Sequence, residues 1–136
     1  MADDSKKRLT VDDLIARAGE KEKQRNTTKE IDIGGGVLEF RRPSDDMILE
    51  LTEAQKKGDI DMELLIRKMA ELLYNCCDEF HDGRFHEIMD TGDPVEAVYL
   101  TMDASEIITV GEKVCSMNAL YEEAGEIGME GVVKNA

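Results

Sequence analysis

The most restrictive stretch of the chain is IDMELLIRKMAELLYNCC, Ile60 to Cys77. Met62, Leu65, Ile66, Met69, Leu72, Leu73 and Cys76 fall at helical spacing and share one side of an α-helix. So continuous an apolar face needs covering, and the rest of the chain has to supply the cover. Asp59 or Asp61 is placed to start this helix, which should form the spine of the core.

The flanking segments supply the pieces. Thr10 and Asp13 have capping-box spacing ahead of Val11, Leu14, Ile15 and Ala18, a narrow apolar stripe. Beyond Ala18 the chain is almost wholly polar to Thr28, which predicts a short helix running into a flexible charged segment. Residues 1–9 are charged and expected to fray. Ile31 and Ile33 alternate with charge, and Val37, Leu38 and Phe40 follow Gly34-Gly35-Gly36, so the two runs read as a β-hairpin ended by Pro43. The glycines lack the spacing of a phosphate loop. Ser44 then caps a helix with Met47, Ile48, Leu51 and Ala54 inward; Lys56 and Lys57 close it and Gly58 stops it.

After the spine, Arg84 to Met89 reads as a short helix stopped at Gly92. Asp93-Pro94-Val95-Glu96 places Asp at N-cap, Pro at N1 and Glu at N3 of the next, with Val95, Val98, Tyr99 and Met102 inward. A longer helix is predicted over residues 105–124, with Ile107, Ile108, Gly111, Val114, Cys115, Met117, Leu120 and Tyr121 apolar. The fold expected is mainly α: a small single-domain helical bundle with one short β-hairpin near the N-terminus. Its divisions are a charged N-terminal arm over residues 1–28, a helical domain over 29–125 and a flexible tail over 126–136.

Function turns on NCCDEFHDGRFHEIMDTGDPVEAV, Asn75 to Val98, which holds two of the three cysteines and both histidines. Zinc on Cys76, Cys77, His81 and His86 would use a His-x₄-His pair of suitable spacing. The adjacent cysteines point about a hundred degrees apart on a helix and do not converge. Cys77 with His81 as nucleophile and base lacks any supporting signature. The expectation is therefore no catalytic residues, no metal and no cofactor. With 17 basic against 31 acidic residues the net charge is −14, which argues against duplex DNA or RNA as a partner. No run is long enough for a membrane span. A charged start and an odd cysteine count point to reduced thiols in a cytosol. Eight methionines and no tryptophan suit a protein that holds other helices; Met62 and Met69 are expected in the core.

The order of these motifs resembles the XkdN-like family of phage tail assembly chaperones, from about Ile31 to Tyr121. The matching parts are the glycine-turned strand pair ending in Phe40-Arg41-Arg42-Pro43, the helix after Ser44, and the long helix ending at Cys76-Cys77. Phe80, Asp82 and Phe85 follow, then Gly92-Asp93-Pro94-Val95-Glu96-Ala97-Val98. The resemblance implies a non-enzymatic protein of the host bacterial cytoplasm, encoded by a phage or prophage and absent from the mature virion. Its partner would be the tape measure protein, sometimes also the major tail tube protein, with self-association a further option. Met89, Val98, Met102 and Tyr121 are the candidate contact residues. Val133-Lys134-Asn135 is compatible with a slippery codon run, so a frameshifted longer form is a further expectation. A different class of reading is a small acidic regulator or nucleic-acid mimic acting by protein binding, although the acids lie in every segment rather than on one face.

Overall fold

A computed structural model of the chain describes residues 6–55 and 61–124. The expected start at residues 1–5, helix stop at 56–58 and tail at 126–136 lie outside the described residues. The fold is mainly α, with six α-helices and one two-stranded antiparallel hairpin among the described residues. The elements are α1 (Val11–Arg25), β1 (Thr28–Asp32), β2 (Val37–Arg41), α2 (Asp45–Gln55), α3 (Met62–Cys76), α4 (Glu96–Thr101), α5 (Ala104–Cys115) and α6 (Ala119–Ala124). Two short 3-10 helices, Asp78–His81 and Gly83–Glu87, fill the gap between α3 and α4.

Helix α3 is the spine. Asp61 caps it, its side chain accepting from the Leu64 amide, and Met69, Ala70, Leu72, Leu73 and Cys76 are buried. Met62, expected inside, is 55% exposed, because it is the first helical residue and lies before the packed turns begin. Helix α5 crosses α3 closely enough that a Cβ added to Gly111 would sit 2.6 Å from Met69 Sδ. A capping box of Asp103 and Glu106 starts α5. The hairpin pairs Thr28 with Arg41 through Asp32 with Val37. Its turn needs glycine, since Gly34 and Gly35 have φ of 84° and 90°. Asp32 Oδ1 accepts from the Gly34 amide at 2.7 Å. Ile31 and Phe40 carry the hairpin into the core.

The short helix predicted over Arg84 to Met89 is the 3-10 helix Gly83–Glu87, and two further predicted helices differ in the structure. The helix over 105–124 breaks after Cys115 and resumes at Ala119. The cause is Asn118, which is 1% exposed. Its Nδ2 donates to the Pro43 carbonyl at 3.0 Å and to Asp45 Oδ1 at 2.9 Å. Its Oδ1 accepts from the Leu120 amide at 2.9 Å, which is an N-cap bond for α6. One buried amide thus ties the last helix to the start of α2. The second difference is at Asp93-Pro94-Val95. This turn is of 3-10 type, with the Glu96, Ala97 and Val98 amides donating to the carbonyls three residues back. Glu96 does not reach back to Asp93. Its carboxylate accepts from the Asp90 and Thr91 amides at 2.8 and 2.7 Å. Asp93 instead receives Arg67 Nη1 at 2.6 Å. Three residues per turn align Val95 with Val98, so Ala97 turns in and Tyr99, expected inside, is 42% exposed.

Candidate docking surface

The residues 75–98 form a joint. Arg41 holds the end of α3, donating to the Asn75 carbonyl at 2.7 Å and pairing with Asp78. The His81 ring stacks on Tyr74 with centroids 4.0 Å apart, and its Nε2 donates to the Tyr74 carbonyl at 2.8 Å. His86 is exposed. The two histidines therefore do not converge on the thiols. Cys76 packs with its sulfur 4.0 Å from Met47 Sδ, and Cys77 Sγ donates to Glu79 Oε2 at 3.2 Å. Burial pushes the Cys76 thiol up to about 11 and the Cys77 thiol up to about 12. Burial likewise raises the third thiol, Cys115, to about 12. A reactive cysteine needs the opposite shift. Among the described residues no group of three or more His, Cys, Asp or Glu side chains is arranged to hold a metal ion. None of the described helices is long and apolar enough to cross a membrane.

The four candidate contact residues separate on burial. Val98 is fully buried and Met102 is 3% exposed, both in the core cluster. Neither side chain faces outward, because α4 lays that side on α3. Tyr121 is half-buried and packed against the core from α6. Met89 is half-buried just after the second 3-10 helix, its amide donating to the Phe85 carbonyl at 3.0 Å.

Larger apolar surface lies elsewhere. Helix α1 buries none of its residues. Leu9, Val11, Leu14 and Ile15 are 51, 71, 53 and 66% exposed. The helix is well formed without packing. Thr10 Oγ1 accepts from the Asp13 amide at 3.2 Å, and Asp13 accepts from the Thr10 amide at 2.9 Å. The Thr10 amide, Lys7 and the Thr10 hydroxyl all donate to the Asp13 carboxylate and hold it below the usual carboxylate range. The helix also runs past Ala18 to Arg25, further than its stripe predicts. Opposite charges three apart, Arg17 with Glu20, Glu20 with Lys23 and Glu22 with Arg25, suit a solvated helix.

A second apolar feature opens beside Met89. Glu79, Asp82, Arg84, Phe85 and Ile88 line a shallow pocket of about 350 Å³. Ile88 is 61% exposed, and Phe85 rests on buried Phe80 with ring centroids 6.4 Å apart. The amphipathic pattern of α1 was visible in the sequence, but nothing there says that its own body leaves the stripe uncovered. Ile88 had only its place beside Met89 as a signal. Compared with known proteins, the chain matches no family model, no curated protein and no solved structure.

Proposed function

We propose that the protein is a phage or prophage tail assembly chaperone, acting in the host bacterial cytoplasm by binding rather than catalysis. Its client would be the tape measure protein, and the tail tube protein a second one. The observation that carries this reading is the uncovered stripe of Val11, Leu14 and Ile15 on a preformed helix, with exposed Leu9 just ahead of its cap. A long helical client exposes apolar seams before assembly, and a helix presented this way lies along such a seam. The charge of −14 keeps the complex dispersed. The motif order from the hairpin to Gly92-Asp93-Pro94 supports the same reading. Val98 and Met102 are left out of the contact set, and α1 takes their place.

Co-expression with the tape measure protein of the same phage or prophage is the test. The expected result is a soluble client that co-elutes with this chain, and a client left insoluble by Ile15→Asp. A client whose solubility is unchanged by the wild-type chain, with no complex on elution, overturns the proposal.

A further inference from the structure

We propose that, in the absence of a client, the α1 arm of one copy docks on the Phe85–Ile88 pocket of the next. The two uncovered apolar features are complementary in charge. Residues 6–25 carry seven basic residues against Asp12, Asp13, Glu20 and Glu22, a net charge of 7 − 4 = +3. Lys7 is bound to Asp13 at 3.1 Å, and Arg8 lies directly before the exposed Leu9, Val11, Leu14 and Ile15. Residues 78–90 carry Asp78, Glu79, Asp82, Glu87 and Asp90 against Arg84, a local charge of 1 − 5 = −4 with neutral histidines. Arg84 is bound to Asp82 through Nε and Nη2 at 2.9 and 2.7 Å, and Asp78 is held by Arg41. Of the charged lining residues Glu79 remains to set the sign of the rim, with Glu87 and Asp90 acidic on the same segment.

That complementarity selects the occupant. Two copies each of charge −14 repel unless the mating patches differ in sign. The arm and the pocket differ; two arms placed side by side in parallel do not. The arm does not reach its own pocket, since no residue of α1 is buried. The contact is therefore heterologous: each copy gives an arm on one side and a pocket on the other, so rings or open chains result. One short stripe in a shallow pocket buries less than the roughly 800 Å² per partner of a standard interface. The association should be weak, salt-sensitive and displaced by anything that takes the stripe. It stands apart from the client reading, because it is a property of the purified chain alone.

Sedimentation velocity on the full chain over a concentration series is the experiment. Concentration-dependent assembly is expected at low salt, with loss at high salt. Ile15→Asp and Ile88→Asp should each abolish it; both sites are more than half exposed, so circular dichroism should match wild type. An equimolar mixture of the two variants retains one intact arm and one intact pocket. It should form dimers and nothing larger. Arg8→Glu and Glu79→Lys leave every apolar side chain in place: each alone should weaken assembly, and their equimolar mixture, in which both arm–pocket contacts are again opposite in sign, should restore it. A chain monomeric at every concentration, assembly that survives Ile88→Asp, or a mixture that stays monomeric would each overturn the proposal.

Discussion

Helices α1 and α3 have 15 residues each, an N-cap side chain that bonds to the first turn, and an apolar stripe. One buries five residues and the other none. Their sequences differ in the length of the stripe. In α3 it runs from Leu65 to Cys76, and the helix packs on α2, α4 and α5. In α1 it stops at Ala18, and charge takes over the same face at Glu22 and Arg25. A stripe two turns long followed by charge offers less apolar area to offset the entropy of ordering a 15-residue helix on the body. It can add to an interface already made elsewhere, so α1 reads as a docking element and α3 as a scaffold.

The sharpest way to break this contrast is to remove one leucine from each helix. Leu73 is fully buried, and Leu73→Ala should cost about 2–5 kcal/mol in urea unfolding. Leu14→Ala, at a side chain 53% exposed, should stay within about 0.5 kcal/mol. A comparable loss at Leu14 would mean that α1 is packed in solution.

Raising the pH tests the body alone. The folded pKa values of Cys76, Cys77 and Cys115 lie above the ordinary 9.0, at about 11, 12 and 12. Above the ordinary value the unfolded chain loses these protons while the folded chain keeps them, so stability falls with pH. The contribution is complete below pH 9 and is lost as pH rises toward 11–12. Urea midpoints measured across this window should drop steeply, with thiolate absorbance appearing only on unfolding. Thiolate absorbance in the folded protein near pH 9 would contradict the burial.

Asn118 gives a smaller effect and joins the two ends of the body. Asn118→Ala leaves the Pro43 carbonyl and the Leu120 amide without their partner. A cost of about 1–3 kcal/mol is expected by urea denaturation, with faster amide exchange in α6. Retention of wild-type stability would mean that water replaces the amide.

How much was legible follows from how local each cause is. The Thr10 and Asp61 caps, the glycine turn and the phase of α3 depend on neighbours within a turn or two, and they stand as read. Asp103 and Glu106 had the same spacing and passed unread. The break at Asn118 depends on Pro43, 75 residues away. No helical period reveals that bond, although Asn before Ala-Leu-Tyr is a usable cap signal. The docking candidates failed for a related reason. Apolar residues at helical spacing mark an inward or an outward face alike, and Val98 and Met102 belong to the first kind.

The smallest effect returns to the arm. Thr10→Ala removes the hydroxyl that accepts from the Asp13 amide, at a cost of roughly 1 kcal/mol to α1. A 15-residue helix without tertiary contacts is marginal to begin with. Local loss should therefore appear as lower helicity and faster amide exchange from Val11 to Leu14. The global unfolding midpoint should not move, because no core residue is contributed by α1. Conditions that assemble the chain should slow the same amides again in the wild type, since a docked helix opens less often than a free one. A shift in the global midpoint equal to the local loss would place α1 on the body and remove the contrast between the two helices.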